Sequence, residues 1–180
     1  MEWFQSSPSN LINWIRNEEG MYYSLDLGGT NFRVLQVQLG GKGSMILNSK
    51  VEQQLIPHQL MMGKSEELFN FIAPILKQFV QREGDGFEQK PDNRKDLGFT
   101  FSFPVKQLSV SSGGLIKWTK GFSIKDAVGK DVAHCLNEAM SEAGLNMQVA
   151  ALKWKSSIKK IVKGLNQVQM WEYHHLTWTS

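Results

Sequence analysis

The stretch Leu25-Asp26-Leu27-Gly28-Gly29-Thr30-Asn31-Phe32-Arg33 decides how this chain is read. Apolar residues lead into an acidic position, two glycines follow, then two small polar side chains, then the alternating run 32–39. Glycine tolerates φ > 0 and dominates tight turns, so the local expectation is a hairpin turning at Gly28-Gly29. The same residues admit a second reading. A glycine turn beside Thr30 and Asn31 lets a phosphate approach backbone N–H groups, with Asp26 where a hydrated cation would sit. The glycines by themselves favour the ordinary hairpin, and structural context has to decide.

Outward from that turn, residues 21–27, 32–39 and 45–52 alternate as strands, with a turn at Gly40-Gly41-Lys42-Gly43, which predicts a three-stranded antiparallel meander. Residues 55–63 cross as a loop or a short strand. A helix follows, with Ser65 as N-cap, Glu66 and Glu67 in the dipole-favoured first turn, and Leu68, Ile72, Ile75, Leu76 and Phe79 on one buried face. Pro74 inside it predicts either a bend or a break. Residues 81–96 read as an exposed loop, 97–103 as a strand ended by Pro104, and Ser111-Ser112-Gly113-Gly114 as the turn of a second hairpin. Residues 131–143 form a second helix closed by Gly144, and 147–152 a buried strand. From Lys153 to Leu165, lysines interleave with apolar residues at helical spacing, predicting a basic amphipathic helix; 167–180 is irregular and aromatic.

A chain of 180 residues suits one domain. Its 41% apolar and 21% charged content is that of a soluble globular protein, and a net charge of +3 predicts no nucleic-acid partner. Cys135 is the only cysteine, which excludes an intramolecular disulfide and favours a reducing compartment. No apolar run has the length of a membrane span, and residues 1–20 lack a basic start followed by an apolar core, so the expectation is a cytoplasmic protein. Cys135 reads as a small core residue, and His174-His175 as non-ligands.

The glycine turn gains meaning from a second element, the run LGFTFSFPVKQLSVSSGGLIKWTKGF over 97–122. This run resembles the sugar-binding signature of the hexokinase family, in its eukaryotic, plant-type members, and YSLDLGGTNFRVL over 23–35 resembles that family's first phosphate motif. Two long motifs in order and at the right separation are far more specific than a glycine pair. The resemblance implies an α/β, ribonuclease-H-like or actin-like ATPase fold, with two domains closing over a hexose such as glucose and over ATP with Mg²⁺. By matching positions, it places Asp26, Leu27, Gly28, Gly29, Thr30, Asn31 and Arg33 on the phosphate side, with Asp26 toward Mg²⁺ through water. It places Ser102, Phe103, Thr119 and Lys120 on the sugar. Those residue types suit the chemistry: hydroxyls pair with hydroxyls, and Lys120 adds three donors and could stabilise charge on a transferring phosphoryl group.

The resemblance extends over roughly 20–152, as one small domain, and leaves 1–19 and 153–180 as divergent ends, as altered splicing or a shifted reading frame would. In the family, the strand matching 147–152 runs into an Asn-Asp pair whose Asp is the catalytic base for the sugar's 6-hydroxyl. Here Lys153-Trp154-Lys155 follows, and no aspartate occurs after Asp131. The expectation is therefore a hexokinase-type chain without its base or its large domain, and inactive. The alternatives are a non-catalytic hexose-binding or regulatory module, and a basic tail that engages a partner or a membrane surface.

Overall fold

In the computed structural model, which describes residues 19–41, 46–83 and 94–154, the alternating runs are strands and the periodic runs helices. They are β1 (Glu19–Leu27), β2 (Asn31–Gly40), β3 (Ile46–Leu55), α1 (Ser65–Glu83), β4 (Lys95–Phe101), β5 (Val105–Ser109), β6 (Ser112–Leu115), α2 (Val132–Glu142) and β7 (Met147–Trp154). Short 3-10 turns cover His58–Met61 and Lys125–Ala127. The first three strands form the predicted meander, β4 and β7 run parallel to β1, and the sheet order is β3-β2-β1-β4-β7. Parallel neighbours need crossovers, which α1 and α2 supply, and the two helices pack together over one face of the sheet.

Period-two alternation sends Tyr23, Leu25 and Leu27, Phe32 and Val34, and Leu97, Phe99 and Phe101 into the core against that helical layer. Leu68, Ile72, Leu76 and Phe79 of α1 meet them, as the helical spacing predicts. The opposite face carries Ser24, Asp26, Arg33 and Thr100 in a partly open environment.

Five local expectations are corrected. Ser65 is the first residue of α1 and does not cap it: Lys64 takes the cap position, with its N–H bonded to Glu67 Oε2 at 3.0 Å, because the carboxylate of Asp126 occupies Ser65. Pro74 does not break the helix: α1 is continuous through it and Pro74 lies on the exposed face, where solvent can reach the carbonyl that the proline leaves without its donor. The span 81–96 is ordered at both ends, in α1 to Glu83 and in β4 from Lys95; 84–93 lies outside the described residues. Gly113 and Gly114 sit within or beside the pairing of β6 and do not form its turn. A Cβ on Gly113 would lie 2.8 Å from Leu152 Cδ2, so glycine serves close packing there. Finally, β7 continues through Lys153 and Trp154, paired with Thr100 and Phe101, so these two residues extend the sheet and do not start a helix. The rest of the predicted basic helix, and His174-His175, lie outside the described residues.

The second helix matches its prediction closely. The Asp131 carboxylate accepts from Ala133 N and His134 N as N-cap, and Gly144, at φ 68°, closes the other end with Leu145 N bonded to Met140 O at 2.8 Å. Desolvation pushes the Asp131 carboxyl up, but hydrogen bonds from Ser112 Oγ, Gly113 N, Ala133 N and His134 N outweigh it and hold the group below the usual range. Burial pushes the half-buried Cys135 thiol up, as befits a packing residue.

Candidate functional site

Parallel strands deliver their carboxyl ends to one edge of a sheet, where ligands of open α/β folds bind. Here β1 and β4 end side by side, with Asp26 opposite Thr100 and Leu27 opposite Phe101, and Ser102 N donates to Leu27 O at 3.1 Å. The two sequence motifs therefore meet at this edge.

The turn after β1 is closed by Gly28 N donating to Asn31 O at 2.9 Å, which centres it on Gly29 and Thr30, one residue later than the sequence suggests. Neither Gly28 nor Gly29 has positive φ, so conformational freedom is not why they are glycines. Space is the reason. A Cβ on Gly28 would stand 3.0 Å from Asn31 O, and one on Gly29 would stand 2.9 Å from Lys120 Cδ. The second distance joins the motifs: the aliphatic stem of Lys120 lies on the backbone of Gly29, from a position 91 residues further along the chain (120 − 29).

Lys120 itself has φ 57°, the one non-glycine residue in the left-handed region among the described residues, and Gly121 follows at φ 85°. Such a backbone is strained for lysine and persists only where its surroundings fix it. Below it, Phe103, Trp118 and Phe122 pack with ring centroids 4.8–5.0 Å apart, Trp118 stacked on Phe122, and Lys120 Nζ lies 5.5 Å from the Phe103 centroid. Trp118 Nε1 donates to Ile124 O at 2.7 Å.

Each predicted site residue has a place. Ser102 is 6% exposed, and its Oγ is buried without a hydrogen-bond partner among the described residues, an arrangement that disfavours a purely structural hydroxyl. The Phe103 ring is fully buried, so it is the floor of the site and not a surface contact. Thr119 is half-buried, and its carbonyl accepts from Phe122 N at 3.2 Å. Asp26 Oδ1 is buried, while Leu27 is wholly in the core and contributes backbone alone. Thr30 is exposed, and its carbonyl accepts from Ile56 N at 3.0 Å. Arg33 pairs with Asp26 in the β1–β2 register, and its Nε donates to Gln53 Oε1 at 2.9 Å. No cluster of three or more His, Cys, Asp or Glu side chains occurs among the described residues. Mg²⁺ in phosphate sites needs only one or two carboxylates besides water and phosphate, so a lone Asp26 beside a turn that excludes a Cβ fits a hydrated ion.

Sequence reasoning missed the residues that hold the Thr119–Lys120 loop from outside it, Met61, Ser65, Asp126 and Lys130. The Asp126 and Ser65 partners stand 61 positions apart, a separation that leaves no local pattern.

An α/β sheet of this order, with a glycine turn and a buried hydroxyl at the carboxyl ends of its parallel strands, defines the ribonuclease-H-like, actin-like ATPase class of fold. Within that class the chain belongs to the hexokinase family: the family model described as Hexokinase matches residues 5–153. Hexokinase-3 of Oryza sativa subsp. japonica is 62% identical over 136 residues, covering 76% of this chain and 26% of the relative. Hexokinase-4, chloroplastic, of the same species is 57% identical over 136 residues, covering 76% and 27%. A solved hexokinase from Schistosoma mansoni, complexed with glucose, superposes with a TM-score of 0.73 at 35% identity, over 83% of this chain and 32% of that one. The chain thus spans about a quarter of the length of these curated relatives.

Proposed function

We propose that this chain carries the hexose-binding and first phosphate-binding surfaces of an ATP-dependent hexose phosphotransferase. The contact of the Lys120 stem with Gly29 carries the reading, because it makes one cleft edge of two motifs that are remote in sequence. Ser102 Oγ, Thr119 and Lys120 bind hydroxyls of glucose or a similar hexose, and the buried Ser102 hydroxyl gains the partner it lacks. The backbone of 28–31 faces phosphate, Asp26 holds hydrated Mg²⁺, and Arg33 adds positive charge. ATP supplies the phosphoryl group when bound, and positioning and charge stabilisation are what these residues contribute.

The same reading assigns the 20–152 region low turnover by itself. General-base catalysis is worth about 10²- to 10⁴-fold, roughly 3–5 kcal/mol of barrier. After Leu152 the strand continues into Lys153, and 153–180 contains no aspartate; a protonated lysine cannot take the sugar's proton. A coupled assay with glucose, ATP and Mg²⁺ should show turnover at least about 10²-fold below that of a full-length relative. Glucose should at the same time shift the amide resonances of Ser102 and Lys120. Turnover near that of the relative would overturn the missing-base reading, and unshifted resonances at high glucose would overturn hexose binding.

Under this reading the chain is a hexose-binding module first, and its single cysteine suits a reducing compartment, the cytoplasm in this proposal. No helix among the described residues is long and apolar enough to cross a membrane.

A further inference from the structure

The loop that carries Thr119 and Lys120 bends through two consecutive left-handed residues, Lys120 and Gly121, and does not stay in place by local hydrogen bonds alone. Outside the loop, two attachments tie it to the segment that opens α1. Ser123 N donates to Met61 O at 2.8 Å. Four residues beyond Met61, Ser65 donates twice to a single carboxylate, from N to Asp126 Oδ1 at 3.0 Å and from Oγ to Asp126 Oδ2 at 2.5 Å. Lys130 Nζ closes the triangle, 3.0 Å from Asp126 Oδ2 and 3.2 Å from Ser65 Oγ.

Ser65 is 2% exposed and is the first residue of α1, so its N–H is one of the helix's orphan donors and the dipole there favours an anion. A carboxylate supplied from six residues past Lys120 meets that demand. We propose that Asp126 is a positioning residue for the hexose side of the cleft: through Ser65 and Lys130 it fixes the Thr119–Lys120 bend against the start of α1. The proposal rests on the reading of Thr119 and Lys120 as hexose contacts.

The test uses the ¹⁵N-labelled full chain, glucose as the probe, and two variants, Asp126→Asn and Ser65→Ala. Asparagine keeps the shape but loses the charge and one of the two acceptor oxygens: with its oxygen at the Oδ2 position it still accepts from Ser65 Oγ and Lys130 Nζ, but its NH₂ group then faces Ser65 N, which loses its acceptor. Before glucose is added, D126N should shift the Trp118 indole resonance and the amides from Thr119 to Phe122, while the amides in the second half of α1 stay in place. On titration its glucose dissociation constant should rise about tenfold, the scale of a small misplacement of binding groups. S65A should change the same resonances in the same direction by less, which keeps the test informative if D126N folds poorly. A wild-type glucose response that both variants reproduce, with only a lower melting temperature, overturns the positioning role alone. A wild-type chain with no glucose response overturns the hexose reading and the proposal with it.

Discussion

The 28–31 turn and the loop of Thr119 and Lys120 touch each other, yet they are held by different means. The turn is closed within four residues, by Gly28 N on Asn31 O, and flanked by paired strands whose register leaves little choice. The loop draws on supports outside it: the ring of Phe103 beneath it, Met61 and Ser65 beside it, and the Asp126–Lys130 pair that follows it. A site built this way has one wall fixed by local pairing and another that depends on the completed core. Removing a support should therefore damage the second wall far more than the first.

Phe103→Ala gives the largest effect. The ring is fully buried and touches Phe101, Trp118 and Phe122, so truncation should cost about 3–5 kcal/mol in urea-monitored unfolding. The loss should fall on the Thr119–Lys120 loop, with the glucose-dependent shifts proposed for Lys120 abolished while amides of the β1–β2 turn keep their positions. Equal disturbance of both regions would remove the contrast drawn between them.

Gly28→Ala tests the other wall. Its Cβ would press on Asn31 O at 3.0 Å and Asn31 Oδ1 at 3.4 Å, and nothing outside the turn lies within reach. Relief needs a shift of a few tenths of an ångström, so the expected cost is about 1 kcal/mol, with resonance changes centred on 28–31 and the Trp118 indole unmoved. A cost above about 3 kcal/mol would show that the turn, too, depends on the wider core.

The contrast also explains what could be read from sequence. Strand alternation, the apolar face of α1, the Asp131 cap and the Gly144 closure are local in cause, and the sequence pattern exposes each. The meeting of Gly29 with Lys120 was legible only through motif resemblance, since no periodicity links residues so far apart. Ser65 shows the limit most plainly. A serine three residues before leucine at a helix start reads as an N-cap, but the tertiary fold brings Asp126 to it, and a stronger acceptor at long range displaces the local role. The glycines illustrate a different gap, because the residue type was right while its reason, room for Asn31 O at Gly28 and for Lys120 at Gly29 in place of positive φ, needed coordinates.

The smallest effect concerns the charge in the loop's tether. The Ser65 hydroxyl first, with Lys130 and Ser65 N adding to it, holds the Asp126 carboxyl down at about 2, from an ordinary value of 3.8, against the opposing effect of burial. A group whose folded value is depressed contributes stability that is fully present above its unfolded pKa and is lost as pH falls through the folded one. For Asp126 that window runs from pH 4 down to 2. Its side chain is 42% exposed, so solvent screening keeps the contribution below about 1 kcal/mol. Asp131 is held below its ordinary value as well and also loses stabilisation in acid, so wild-type acid lability alone cannot isolate the tether. The difference in urea midpoint between wild type and D126N can, because Asp131 is common to both. That difference should stay constant from neutral pH to about 4.5 and shrink between 4 and 2. A difference that stays flat to pH 2 would mean that the Asp126 charge does not stabilise the loop, leaving shape and hydrogen-bond count as the only work of the Ser65 contact.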